Sequence, residues 1–199
     1  CGRSVFEAAG IGADDVAYVD LYSCFPAAVQ IAAAELGIDA WDASRVPTLT
    51  GGLTFGGGPG NNSSTHAIAQ VVAALRADGG SGAFGLVTAL GWYVTKHSMG
   101  VYGSTPPPNG FHWASPQAEV DALPRRRVVA DHQGPATVEA YTVLHDRDGA
   151  PSQGVAALVL ADGRRTWANT ADADLLTVMV TDDLCDRVAA VAGDTFTLT

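Results

Sequence analysis

The sequence predicts an α/β domain of layered helices and a mixed sheet, followed by a small all-β domain. Apolar strand-like runs alternate with helical patterns over residues 1–103, a proline-rich stretch follows, and beyond it short β-like segments are separated by turns. Hydrophobic residues make up 47% of the 199 residues, which is enough to bury a substantial core. We therefore expect a first domain at 1–103, a linker at 104–118 and a second domain at 119–199.

The first domain contains alternating strand and helix signals. The segment VAYVDLYSCF predicts a buried strand, and PAAVQIAAAELG predicts a helix with proline in its first turn and glycine at its end. THAIAQVVAALRADGG predicts a second helix, for which Ser63 or Ser64 is the expected N-cap. GAFGLVTALGWYV predicts another strand. In such a layered fold the loops at the strand ends are where ligands usually bind.

The second domain has the pattern of an antiparallel β-structure. We predict strands in the five segments ATVEAYTVLH, GVAALVL, RTWANT, LLTVMV and DTFTLT. Asp-Gly turns stand between the first three of these segments and are typical of hairpins. About five strands in so short a domain predict a small barrel or sandwich.

A glycine-rich segment, GGLTFGGGPG, joins the two halves of the first domain. Six of the ten residues 51–60 are glycine, which costs folding entropy at each position. We interpret the segment as main chain that passes close to a ligand or to a neighbouring segment. The residues NNSST that follow offer amide and hydroxyl groups at a helix N-terminus, where an anionic or carbonyl group is favoured. A tight packing loop with an ordinary cap is the alternative interpretation.

Composition excludes several classes of function. The formal net charge of −10 argues against binding to nucleic acid or an anionic membrane, and the basic cluster at 125–127 is expected to be a solvated or phosphate-steering surface. No apolar run approaches the roughly 18–20 residues that span a bilayer, and no signal-peptide pattern is present, so we expect a cytoplasmic protein. Three widely spaced cysteines and scattered histidines predict reduced thiols and no metal site.

Three motifs occur in one order: VDLYSCFPAAV, GGLTFGGGPG and GLVTALGWYV. In this order and spacing they resemble the C-terminal half of the thiolase superfamily, over about residues 1–103. The group that the sequence resembles most is the thiolase-like proteins of type 1, labelled acetyl-CoA acetyltransferases, which carry an additional C-terminal domain similar to an OB-fold. The resemblance implies a thiolase-like C-terminal half followed by an OB-fold-like barrel. It also implies an acyltransferase of lipid metabolism that binds a CoA thioester, with no covalently bound cofactor.

The resemblance also locates the candidate catalytic residues. Tyr22 and Ser23 stand where thiolases carry Asn or His and then Glu or Asp, and Gly58 stands where a histidine precedes the proline. Residues 88–93 contain no cysteine, although the third thiolase motif has one. The resemblance therefore implies the fold and ligand class, but its usual acid, base and oxyanion groups are replaced. The polar side chains left near the motifs, and so our candidate catalytic residues, are Tyr22, Tyr93 and His97.

The remaining motif positions are assigned to binding of the substrate and CoA. They are residues with small, hydroxyl, amide or amino groups that the three motifs would place around a thioester: Ser23, Cys24, Gly51, Gly52, Gly57, Gly58, Pro59, Asn61, Asn62, Ser63, Gly91 and Lys96.

Three functions remain open at this point. The first is an acyl-CoA acyltransferase, the second is a retro-aldol lyase that uses a tyrosine as acid or base, and the third is a non-catalytic acyl-CoA or lipid carrier or scaffold. The chain lacks a counterpart of the N-terminal thiolase half, which carries the acylated cysteine. A half-thiolase would leave apolar surface uncovered, so we expect that half, a partner chain or a second copy to cover it.

Overall fold

A computed structural model describes residues 1–107 and 110–199, so part of the predicted linker, Pro108 and Asn109, lies outside the described residues. The chain divides into two units, Cys1–Ala122 and Leu123–Thr199, and each is described by itself. No helix among the described residues is both long enough and apolar enough to cross a membrane.

The first unit is a three-stranded sheet with helices on both faces. Its strands follow the order β1-β2-β3, with β1 and β2 parallel and β2 and β3 antiparallel. The elements of this unit in chain order are α1 (Gly2–Ala9), β1 (Val16–Asp20), α2 (Pro26–Leu36), α3 (Gly52–Gly56), α4 (Ser63–Ala77), β2 (Phe84–Gly91), β3 (Lys96–Gly103) and α5 (Gln117–Ala122).

Each face of the sheet buries its own apolar cluster. Leu86 of β2 belongs to the cluster beneath α1 and α2, together with Leu36 of α2. The next residue, Val87, belongs to the cluster beneath α4, where Val71 is fully buried. Because side chains alternate along a strand, one run of apolar residues supplies both clusters. This pattern confirms the predicted layers of helix and sheet.

Two helices of the first unit test the predicted caps. Helix α2 begins with Pro26 at its first position and ends before Gly37, which has a left-handed φ of 71°, as the sequence predicts. The expected cap at Ser63 or Ser64 is wrong. The N-cap of α4 is Asn62, because Asn62 ends the preceding 3-10 turn, Gly60–Asn62, with a right-handed helical backbone that leads directly into the helix. The side-chain amide nitrogen of Asn62 lies 3.0 Å from Nε2 of His66, and the Asn62 side chain makes no capping bond to a backbone amide.

The second unit is a closed five-stranded barrel, as the resemblance to an OB-fold implies. Its strands follow the order β4-β5-β6-β8-β7, and β7 pairs with β4 to complete the ring. The elements are β4 (Gln133–His145), β5 (Pro151–Val159), β6 (Arg165–Thr170), α6 (Ala173–Thr181), β7 (Val188–Ala192) and β8 (Thr195–Leu198).

One predicted strand of the barrel is wrong. The segment LLTVMV lies in helix α6, because Asp172 caps the helix by accepting a hydrogen bond from the amide of Leu175 at 2.8 Å. Leu175, Leu176 and Met179 then bury at helical spacing in the barrel core. The fifth strand is β7, whose sequence VAAVA was not predicted as a strand.

Candidate functional site

The carboxyl ends of β1 and β2 lie at the same edge of the first unit's sheet. The two strands run parallel, with Asp20 in register with Val87, so the chain leaves both strands in the same direction. After β1 follows the motif segment Leu21–Phe25, and after β2 follows the tight turn at 92–95 that leads into β3. Loops at this edge are where open α/β sheets bind ligands.

A cavity of about 200 Å³ lies at this edge, between the sheet and helix α2. Its sheet wall comes from residues that face each other across β2 and β3, Thr88 with Met99 and Leu90 with His97. Its helix wall is a single stripe of α2, since residues four apart lie on one face. The full lining is Cys1, Gly2, Arg3, Tyr22, Ala28, Ile31, Ala32, Glu35, Leu36, Thr88, Ala89, Leu90, Val94, His97 and Met99.

Tyr22 is held at the cavity by its own backbone. Its amide donates a 2.8 Å hydrogen bond to Oγ1 of Thr88, a buried side chain on β2. This bond gives the amide a partner just past the last pair of the β1 ladder, Asp20 with Val87. Sequence reasoning missed the role of Thr88, although a single polar residue within the apolar run GLVTALG was the available signal.

His97 lies at the mouth of the same cavity and is exposed to solvent. Its Nε2 is 3.1 Å from the carbonyl oxygen of Val94. A carbonyl oxygen only accepts hydrogen bonds, so Nε2 carries the proton, and Nδ1 holds the lone pair in the neutral ring. The cavity lining therefore includes an imidazole of defined tautomer, that of His97, and a phenol, that of Tyr22.

The Val94 carbonyl that pairs with His97 belongs to a residue in an unfavourable backbone conformation. It has φ of 58°, and Trp92 in the same turn has φ of 53°. A left-handed conformation is rare for a β-branched residue and costs about 1–3 kcal/mol. The surrounding turn imposes it, with the Val94 amide bonded to the carbonyl of Trp92 at 2.9 Å.

We expect Val94→Gly to raise the free energy of unfolding of the first unit by up to about 1 kcal/mol, because the relieved strain exceeds the added chain entropy. The measurement is chemical denaturation monitored through this unit's hydrogen exchange. Thr95→Gly is the control, because Thr95 does not have a positive φ. The free energy of unfolding of this variant should fall. A loss of stability in Val94→Gly equal to that in the control would contradict strain at this turn.

Asp20 anchors the segment that precedes the glycine-rich stretch. The carboxylate is 6% exposed, and its Oδ2 accepts bonds from the amides of Leu49 and Thr50 at 2.9 and 3.0 Å and from the hydroxyls of Thr48 and Thr50 at 3.0 Å. The Thr50 hydroxyl in turn accepts from the amide of Gly52 at 3.1 Å. The end of β1 therefore fixes where the glycine-rich segment begins.

The glycine-rich segment approaches the Tyr22 loop through Ser23. The Ser23 hydroxyl accepts from the amide of Leu53 at 2.9 Å, and a Cβ on Gly52 would lie 2.6 Å from that hydroxyl oxygen. Gly52 is therefore required by close approach as well as by its φ of 73°. Left-handed φ values explain four more glycines of the segment, namely Gly51, Gly57, Gly58 and Gly60.

Most of this segment is exposed, and none of its described residues lines the cavity. Around Gly57, Gly58 and Gly60 the space where a Cβ would stand is open. The structure thus joins the segment to the Tyr22 loop by contact, and its predicted contact with a ligand stays a prediction. The same holds for the other assigned binding positions here: Pro59, Asn61, Asn62 and Ser63.

The structure separates the two candidate tyrosines. Tyr22 lines the cavity, whereas Tyr93 is 80% exposed in the turn and does not line it. Lys96 holds its amino group 5.8 Å from the ring centre of Trp92, a cation–π distance. Gly91 ends β2 beside Lys96, and the thiol-bearing Cys24 is half-buried in the Tyr22 loop.

The charged groups of the site include Arg3 and Glu35, which sequence reasoning missed and for which it had no local signal. Within the described residues, no group of three or more His, Cys, Asp or Glu side chains could hold a metal ion. Cys1, Cys24 and Cys185 are all free thiols.

Comparison with known proteins agrees with this architecture. Residues 116–195 match the family model described as the thiolase-like protein type 1 additional C-terminal domain. Among solved structures, the chain is similar to a monomeric SCP2-thiolase-like protein type 1 from Mycobacterium smegmatis, with 37% sequence identity and a TM-score of 0.85. A search of curated proteins found no match.

The match covers 99% of this chain and 44% of the M. smegmatis chain, so this chain spans less than half the length of that relative. This structural match includes both the α/β unit and the barrel, and the barrel corresponds to the additional C-terminal domain. The chain therefore has the fold of a thiolase-like protein of type 1, and its residues 116–195 form the additional C-terminal domain of that family.

Proposed function

We propose that this chain binds the acyl part of a CoA thioester in the cavity lined by Tyr22 and His97. The observation that carries the proposal is the position of this cavity, at the carboxyl ends of parallel strands, with a phenol and an imidazole on its wall. Apart from Glu35, its helix side is apolar, through Ala28, Ile31 and Ala32. This combination suits an acyl chain that ends in a polarised carbonyl.

The volume of the cavity limits what it holds. About 200 Å³ is less than the roughly 300–1,000 Å³ typical of pockets for drug-sized ligands. It suits a short acyl group, while the rest of a CoA thioester would extend outside the cavity. The exposed main chain of the glycine-rich segment is available for that extension, as the assignment of Gly57 and Gly58 to CoA binding requires.

The proposal does not include ordinary thiolase chemistry. Gly58 offers neither a proton nor a hydrogen-bonding side chain where the superfamily carries a histidine, and residues 88–93 supply no cysteine. The resemblance to acyltransferases therefore supports the ligand that we propose, a CoA thioester, but it does not support thiolysis.

Substitution in the helix wall tests acyl binding directly. We expect Ala32→Leu, which places a larger side chain in the cavity, to weaken binding of a short acyl-CoA about tenfold while leaving binding of CoA itself unchanged. The matched control is Ala27→Leu, on the exposed face of the same helix. Isothermal titration with both ligands gives the affinities. If Ala32→Leu weakens the binding of both ligands equally, or of neither, the acyl group does not bind in this cavity.

A second candidate function follows from the pairing of an acid with a base. In a retro-aldol reaction the base takes the proton from the hydroxyl of a 3-hydroxyacyl thioester, the C2–C3 bond breaks, and a ketone or aldehyde leaves. The resulting enolate takes a proton at C2, so the reaction needs no further reactant. We propose Nδ1 of His97 as the base and the Tyr22 hydroxyl as the donor to the enolate, because both line the cavity. Binding without release of a carbonyl product would leave the acyl carrier or scaffold as the function.

We further propose that an N-terminal thiolase half, on the same chain or a partner, covers the exposed aromatic residues of the first unit. Trp41, Phe55, Trp92 and Tyr93 are each 73–84% exposed. Sedimentation of the chain alone and after mixing with the N-terminal half of the M. smegmatis relative tests this, and a stable dimer of the chain alone would indicate a second copy instead.

The free thiols support a cytoplasmic location.

A further inference from the structure

Arginine side chains concentrate at one place on the barrel, although the unit as a whole is acidic. Residues 123–199 contain seven arginines against eleven carboxylates, a net charge of −4. Four of the arginines belong to two chain segments that pair where β6 begins, Arg126 with Arg127 in one and Arg164 with Arg165 in the other. A local excess of positive charge on an acidic domain suggests a site for a small anion.

One backbone and one side-chain hydrogen bond join the two segments that carry the arginine pairs. The amide of Arg165 donates to the carbonyl of Arg127 at 2.9 Å, and Nη1 of Arg126 donates to the carbonyl of Gly163 at 3.4 Å. Only two carboxylates among the described residues pair with this group. Glu139 accepts from Arg165 at 2.7 Å and lies 3.4 Å from Arg126, and Asp162 pairs with Arg164 at 2.7 Å. Four guanidinium groups against two carboxylates leave about two positive charges.

An exposed aromatic ring adjoins these charges. Side chains alternate along β6, so that Thr166 and Ala168 are buried while Arg165 and Trp167 point to the outside of the barrel. Trp167 is 53% exposed, and the residue opposite it on β5 is the small Ala157. Residues two apart on one strand lie about 7 Å from each other. These five residues, none of which is buried, are called the arginine–tryptophan face: Arg126, Arg127, Arg164, Arg165 and Trp167.

We propose that the arginine–tryptophan face binds a nucleoside phosphate, with the base stacked on Trp167 and the phosphates held by the arginines. Guanidinium groups bind phosphate oxygens with two hydrogen bonds each, and an indole ring is a stacking partner for any base. The outer surface of the second and third strands is also where five-stranded barrels of this kind hold ligands. The inference does not depend on the proposed function of the cavity.

The net negative charge of the second unit favours binding of a single nucleotide over binding of a nucleic-acid strand. A strand would extend its phosphates beyond the four arginines and over a surface whose remaining charges are three arginines against nine carboxylates. A single nucleotide places its phosphates on the arginines alone. Its binding weakens with salt, as expected of charge-assisted contacts.

Titration of the intact chain with ADP tests the proposal. We expect Trp167→Ala to weaken ADP binding about five- to a hundredfold, the effect of losing one base stack. We expect Arg127→Ala to weaken it about tenfold and to reduce its dependence on salt, with pyrophosphate affected equally. Trp41→Ala and Arg147→Ala, which alter an exposed tryptophan and a turn arginine outside the face, are the matched controls.

Several outcomes would overturn the proposal. These are no ADP binding, ADP binding that neither variant of the face weakens, pyrophosphate binding as tight as ADP binding, and single-stranded DNA binding tighter than either. Circular dichroism confirms that the variants are folded. Titration with CoA, which carries an adenosine nucleotide, distinguishes the source of the ligand: competition with ADP at similar affinity indicates a larger cofactor, and its absence indicates a free nucleotide.

Discussion

Asp20→Ala is expected to lower the free energy of unfolding of the first unit by about 3 kcal/mol. One buried oxygen accepts bonds from two amides and two hydroxyls of the Thr48–Thr50 segment, and the substitution leaves those donors without their acceptor. The loss should be greatest at the donors themselves. Hydrogen exchange of the Leu49 and Thr50 amides, followed residue by residue, measures it without assuming that both units of the chain unfold together.

Two controls separate this network from a general effect of removing a carboxylate. Asp20→Asn keeps an oxygen at the same distance and should cost about 1 kcal/mol, since it loses the charge but not the acceptor. Asp14→Ala, in the exposed turn before β1, should change stability by less than about 0.5 kcal/mol. Continued protection of Leu49 and Thr50 in Asp20→Ala would show that the segment is held by other contacts.

The helical layers could be predicted from the sequence because their signals are local. Proline at the start of α2 and Gly37 at its end fix the helix whatever it packs against. The order of the three motifs likewise predicts the family, because it depends on residue identity. Helix α6 could not be separated from a strand by its apolar run alone, and Asp172 was the local signal that distinguishes them.

The candidate site could be predicted only in part, because it depends on register. Tyr22 and His97 are 75 positions apart in the sequence and line the same cavity because β1 is parallel to β2 and His97 lies opposite Leu90. Strand pairing of this kind carries no local signal. The left-handed Val94 and the partnership of Tyr22 with Thr88 depend on the same register, so the sequence could suggest the participants but not their contacts.

Tyr22→Phe is expected to reduce release of a carbonyl product from a 3-hydroxyacyl-CoA by about 10²–10⁴-fold, the usual effect of removing a general acid. Affinity for the thioester should fall less than about tenfold, because one neutral hydrogen bond is lost while the ring remains in the cavity. Single-turnover assays for the product and equilibrium titration for the affinity separate the two quantities.

Tyr93→Phe is the matched control, because it removes the same hydroxyl from a side chain that is 80% exposed and outside the cavity lining. It should leave both product release and affinity unchanged. His97→Gln retains a donor for the Val94 carbonyl but no basic nitrogen, so product release should fall in this variant as well. If Tyr22→Phe and His97→Gln retain full turnover while Tyr93→Phe loses it, the reacting groups lie in the turn after β2, and the cavity serves binding alone.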